Sequence, residues 1–223
     1  MTTQLRTKAA CTFFVKLYKS PKKAVIAIKS RVTAALDDGT AAECQYCSGL
    51  APPTTLDHFL GKAAIPELSL YAPNLVPCCP DCNNIRGRAA TFSASGDRRA
   101  VHFYDDDIDA LPELLVVDIT LLGTGVPSVK YSVASSPHPL QQVFERHFEA
   151  LHLARRYATK AASQLLLIKT RSRTSNANQQ SLSEILVNDA DARNALFGRN
   201  DHLATLFRSI AVSPAILDWA VLP

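Results

Sequence analysis

Residues 44–87 read CQYCSGLAPPTTLDHFLGKAAIPELSLYAPNLVPCCPDCNNIRG, and the reading of this stretch decides the fold. Its cysteines recur as Cys44-x-x-Cys47 and Cys79-x-x-Cys82. A CxxC sets two sulfurs on one side of a tight turn, and two such turns facing each other supply four thiolates to one Zn²⁺ at about 2.3 Å. The pairs are separated by 31 residues, more than the roughly 15–20 of a compact zinc ribbon, so the interval must hold a folded insert. All four ligand positions are cysteine, which leaves no open coordination position. The expected zinc is therefore structural, and its binding contributes directly to folding. Residues 40–90 are rich in Cys, Pro and Asn and poor in long apolar runs, as expected where a metal replaces a core. Cys78 cannot comfortably join the same tetrahedron as its neighbour Cys79 and reads as a buried thiol. Cys11, in an apolar run, reads as core.

The insert carries titratable groups. Thr54 to Gly61 has the composition of a short strand ending in the pair Asp57-His58. Adjacent side chains on a strand point to opposite faces, so both reach one site only if the strand ends or bends there, as Gly61 would permit. Asn74 to Cys79 reads as a loop and a return strand. Pro80 and Asp81 suit the first turn of a helix that continues through Arg86.

These anchors together resemble the HNH, or ββα-metal, endonuclease family in its cysteine-bearing form: CxxC, Asp-His on a first strand, Asn-Leu in the loop, then CxxC-Asn and a basic residue. The resemblance covers Cys44 to Gly87. It implies that His58 is the general base that takes a proton from the attacking water. It also implies that Asp57 and Asn83 hold one divalent cation, that Asn74 braces the loop orienting His58, and that Arg86 contacts a substrate phosphate. Asn83 departs from the histidine that supplies the family's third letter. Its neutral oxygen favours Mg²⁺ or Mn²⁺ over zinc at the catalytic position. The chemistry is coherent in its own right, because histidine is the natural base near neutral pH and a divalent ion stabilises charge developing on a leaving 3′ oxygen.

Outside this stretch the charge distribution is informative. Residues 1–36 hold eight Lys or Arg and no acid, although the net charge of all 223 residues is only +4. A second acid-free basic stretch runs from Arg155 through Lys160, Lys169, Arg171 and Arg173. Two such clusters suit a polyanion, and DNA is the expected partner. With 47% apolar residues the chain can bury a substantial core. It holds no run of about 18 apolar residues of the kind that spans a membrane. The apolar run from Cys11 to Val15 is too short for a signal-peptide core. A soluble cytoplasmic protein without membrane association is expected.

The expected fold class is α+β: a small zinc-stapled ββα core, a basic helical extension before it, and a β-hairpin with helices after it. The expected divisions are 1–39, 40–95 and 96–223. Pro21 is expected to close an element over about 8–19, and Asp37-Asp38-Gly39 to stop a helix over about 22–36. A Ser/Gly/Arg-rich connector is expected over 91–99. Segments 114–122 and 128–133 read as a hairpin. The 3- and 4-residue spacing of Val143, Phe144, Phe148, Leu151, Ala154 and Tyr157 predicts one long helix over about 140–170. A polar loop over 171–181 follows, then one or two helices, the last restarted by Pro214.

His102 with Asp105, Asp106, Asp107 and Asp109 reads as a solvated turn rather than a second metal site. His147 and His152 read as structural, and Trp219 as core. Arg155-Arg156 is a further candidate for phosphate contact. Segments 101–105 and 144–157 loosely resemble the C-terminal extension of some standalone bacterial HNH proteins, some of which act beside an ATPase in anti-phage defence. Three functions stay open: a nuclease cutting DNA, a non-catalytic zinc-stapled nucleic-acid-binding module, and the nuclease subunit of a defence or toxin complex activated by a partner.

Overall fold

The structure, a computed structural model, describes residues 8–20, 22–34, 43–88, 91–108, 110–175 and 178–222. The fold is α+β, with eight helices and two antiparallel two-stranded sheets among these residues. The chain divides into two units, Met1–Asp106 and Asp107–Pro223. Pro21, Asp37 to Gly39 and Asp109 lie outside the described residues.

The first unit opens with α1 (Lys8–Tyr18) and α2 (Lys23–Ala34), close to the two predicted spans. Val25 and Val32, seven residues apart on α2, are its buried positions, as expected for one face of a helix with 3.6 residues per turn. Helix α1 packs on a 3₁₀ turn at Pro66–Leu68, and α2 packs on the return strand. Both helices thus belong to the same unit as the knuckles, and residues 96–106 join it as well.

The knuckle segment has the expected ββα order: β1 (Thr55–His58), β2 (Leu75–Cys78) and α3 (Pro80–Arg88). The strands pair antiparallel, with Asp57 opposite Val76 and His58 opposite Leu75. Thr55 Oγ1 donates to Cys78 O at 2.9 Å, pinning the far end of the ladder. The expected connector after α3 is not an open linker. Phe92 bridges Arg98, and the buried Thr91 hydroxyl donates to Phe59 O. Short polar side chains that bond backbone carbonyls fold back onto the core, which composition alone does not show.

The second unit is built on β3 (Leu115–Leu121) and β4 (Pro127–Val133), the predicted hairpin. Leu115, Val117 and Tyr131 form its buried face. The predicted long helix is two: α4 (Gln141–Ala150) and α5 (Leu153–Thr174). His152 between them takes a left-handed backbone at φ 54°, which ends the first helix while leaving the apolar periodicity almost in phase. The predicted polar loop is mostly helical in its described part, because α5 runs to Thr174 and α6 (Gln179–Phe197) begins at an Asn178 capping box. Helices α7 (His202–Ala211) and α8 (Pro214–Val221) complete the chain, with Pro214 opening the last as expected. Tyr157 stacks on His202 at 4.4 Å, and Tyr131 donates its hydroxyl to His202 O at 2.9 Å, so an aromatic cluster ties the hairpin to the helices. Among the described residues no single helix is long and apolar enough to cross a membrane.

Candidate active site and metal centre

The four knuckle cysteines converge as their spacing predicts. Cys44, Cys47, Cys79 and Cys82 are buried, and their sulfurs lie within 4.8 Å of one another. A tetrahedron with metal–sulfur bonds of about 2.3 Å has edges of about 3.8 Å; the Cys47–Cys79 edge measures 3.9 Å. Cys82 N–H donates to Cys79 Sγ at 3.4 Å, part of a backbone turn that cradles thiolates. Cys79 is held well below the usual thiol range because Cys44, Cys47 and Cys82 all hydrogen-bond its sulfur. The first knuckle closes through Ser48 and Gly49, both at positive φ. The left-handed backbone at Gly49, φ 77°, favours glycine there. This cluster is compatible with a structural zinc. Cys78 lies outside it, buried against Thr55 Oγ1, and burial pushes its thiol up to about 12. Cys11 is only half-buried rather than core.

The strand alternation sends Asp57 and His58 into different surroundings, both more than nine-tenths buried. Asp57 Oδ2 accepts from the Tyr46 hydroxyl at 3.0 Å and faces Arg86 Nε at 3.5 Å. Burial raises the Asp57 carboxyl above its ordinary range, while Arg86 and Tyr46 oppose the rise. On the other side, His58 Nε2 lies 3.1 Å from Ser69 O, and the ring meets Tyr18 edge-on at 4.5 Å. A carbonyl oxygen can only accept, so Nε2 carries the proton and the neutral ring keeps its lone pair on Nδ1. Burial lowers the His58 pKa to about 4, with nearby Lys62 and Lys29 adding to the effect. The ring is therefore neutral at pH 7.

Asn74 is the brace of this loop. Its Oδ1 accepts from Leu60 N at 2.7 Å, and its Nδ2 donates to Leu60 O at 3.1 Å and Leu68 O at 3.2 Å. Leu60 and Leu68 stand beside the segment bearing His58 and the segment bearing Ser69, so one amide spans both ends of the contact. Asn83 lies on α3 one turn before Arg86, facing β1, with Nδ2 3.5 Å from Leu56 O. Arg86, expected on a substrate phosphate, is instead buried. Its Nη2 donates to Phe59 O at 3.2 Å and to Thr91 Oγ1 at 3.1 Å, while Nη1 has no acceptor among the described residues.

Sequence reading missed Tyr46, Ser69 and Tyr18. Tyr46 lies between two knuckle cysteines, whose spacing carries the signal of that segment. Ser69 acts through a backbone carbonyl, which every residue owns. The turn expected to be solvated is partly buried: His102 is buried, and Asp106 accepts from His102 N at 2.7 Å and from Arg98 at 2.8 Å, while Asp105 and Asp107 are exposed. In the second unit His147 is buried and His152 exposed. Arg156 caps Leu151 O at 3.3 Å, whereas Arg155 is exposed. Lys169 Nζ sits 4.6 Å over the Trp219 ring, which is half-buried rather than core.

No family model matches the chain, and no solved structure matches it. The chain is similar to protein ea31 of Escherichia phage lambda, at 30% identity over 128 residues. The match covers 55% of this chain and 42% of the phage protein, so the chain spans less than half the length of the curated relative it matches.

Proposed function

We propose that the first unit is a metal-dependent phosphodiesterase of the HNH, or ββα-metal, type that cuts DNA. The observation that carries this reading is the state of His58: a neutral imidazole fixed in one tautomer by Ser69 O, one residue from a buried carboxylate. Nδ1 takes a proton from the water that attacks phosphorus, and the Ser69 carbonyl stabilises the imidazolium that results. Asn74 keeps that carbonyl in register with the ring. Asp57 on β1 and Asn83 on α3 would supply oxygens to Mg²⁺ or Mn²⁺, which would provide charge stabilisation at the leaving 3′ oxygen. Zinc at the four cysteines would staple β1, β2 and α3 without entering the chemistry. The basic faces of the N-terminal helices and of α5 would add backbone contacts without sequence information.

The test is plasmid cleavage by wild type and His58→Ala with Mg²⁺, Mn²⁺ or EDTA, with zinc measured separately. Divalent-dependent cleavage that disappears in His58→Ala, at unchanged zinc content, supports the nuclease. A second reading, a zinc-stapled nucleic-acid-binding module without catalysis, draws on the Asp57–Arg86 ion pair, which already compensates the carboxylate. It requires that His58→Ala change nothing. A third places the chain as a nuclease subunit silent until a partner, such as an ATPase of a defence complex, is added; robust activity of the isolated chain sinks that version.

A further inference from the structure

An open cleft of about 340 Å³ lies in the first unit between α2 and β1. Its α-helical wall carries Tyr18, Lys29, Ser30 and Thr33, and its strand wall begins at Thr54 and Thr55. Lys29 is held in place: Nζ donates to Tyr18 O at 2.7 Å and sits 3.9 Å over the Tyr18 ring. Lys62 Nζ approaches the same ring at 5.7 Å. That ring is the one edge-on to His58 at 4.5 Å. One aromatic side chain therefore gathers two ammonium groups beside the histidine.

Among the described residues, no carboxylate lies within ion-pair distance of Lys29 or Lys62. Residues 8–34 contain no acid at all. Two like charges brought together without a counter-ion repel each other, and ordering a lysine side chain costs conformational entropy. Tyr18 offsets part of that cost through its ring face but contributes no negative charge. An anion would neutralise the pair, and the exposed Ser30 hydroxyl stands along the same cleft, whereas the Thr33 and Thr55 hydroxyls are already spent on backbone carbonyls.

We infer that Lys29 and Lys62, gathered on Tyr18, form a phosphate subsite that takes the DNA backbone next to the phosphodiester presented to His58. The inference rests on the proposed nuclease reading for its placement relative to the chemistry. Lys29 and Lys62 are positioning residues: they hold the backbone and fix which phosphate reaches His58 Nδ1. Their contacts carry no sequence information.

The experiment measures binding of the full chain to a duplex in EDTA over a range of salt, alongside cleavage in Mg²⁺ or Mn²⁺. The proteins are wild type, Lys29→Gln, Lys62→Gln, the double variant, and Lys130→Gln as a control on an exposed strand position of the second unit. Each lost phosphate contact lowers the slope of log affinity against log salt by about 0.9, so the double variant should lose about 1.8 while Lys130→Gln changes little. Lys→Arg at both positions should restore the slope. Zinc content identical to wild type shows that a loss of slope is not a loss of fold. An unchanged slope in the double variant overturns the subsite even where wild type cleaves. A wild type that binds DNA through these lysines but never cleaves it sinks a nuclease active by itself and leaves the subsite standing. Absence of any DNA binding by wild type overturns the subsite.

Discussion

His58 Nε2 faces Ser69 O at 3.1 Å, and this one contact sets both the tautomer of the ring and the direction of its free lone pair. Ser69 is held in turn by its own hydroxyl, which donates to Pro66 O, and by the Asn74 amide nearby. The histidine is thus positioned by backbone rather than by a second titratable side chain, so its orientation does not change with the charge state of a neighbour.

Asn74 is the most exacting position in that arrangement, because it accepts one bond and donates two. Asn74→Asp keeps the acceptor but turns a donor toward two carbonyls into a repelling oxygen. It should destabilise the first unit by about 1–3 kcal/mol and reduce cleavage further than the stability loss explains. Urea unfolding and single-turnover rates measure the two effects. A variant with normal stability and normal rate would show that the loop holds itself.

Stability should depend on pH through His58. Its pKa falls from an ordinary 6.5 to about 4 in the folded chain. The unfolded state therefore binds its proton first as pH falls, and stability present at pH 7 is lost between about 6.5 and 4. The loss is at most about 3 kcal/mol. His58→Gln lacks this titration, so the difference in unfolding free energy between the two proteins should change across that window at equal zinc loading. A difference independent of pH contradicts the buried, neutral ring.

Arg86 separates a structural role from a substrate contact. Breaking its buried pair with Asp57 should cost about 3–5 kcal/mol. Arg86→Lys should not restore stability, since one ammonium cannot serve Phe59 O, Thr91 Oγ1 and Asp57 together. Thermal unfolding of Arg86→Ala and Arg86→Lys tests this. Wild-type stability in both, with only the KM for DNA raised, would return the residue to phosphate binding through its unspent Nη1.

The cysteines should sort into three classes on alkylation at pH 8. Cys11 reacts in the native chain, and the four knuckle thiols react only after the metal is removed by a strong chelator. Cys78 stays unmodified until unfolding, because burial keeps it protonated. Mass spectrometry of digested samples reads each site. Rapid native labelling of Cys44 or Cys82 would mean that no metal occupies the cluster, and close to one zinc per chain is the matching expectation.

Much of the first unit was legible from residues 44–87. Ligand spacing, a short strand, a return strand and a proline-led helix start are local signals, and each became the expected element. The long helix over 140–170 was misread because the periodicity of Phe148, Leu151 and Tyr157 carries almost unbroken across the left-handed His152. Thr91 was misread as linker because its burial depends on a carbonyl 32 residues away.

By itself, then, the sequence determined the four-cysteine cluster, the ββα order and the identity of the polar groups set beside it, because cysteine spacing and side-chain type are properties of short segments. Only the tertiary structure decided the state of those groups. The neutral tautomer of His58, the burial of Arg86 against Asp57 and the gathering of Lys29 and Lys62 on Tyr18 all arise where distant segments meet. Backbone carbonyls and low-dielectric surroundings make those contacts, and neither leaves a mark on the order of the residues.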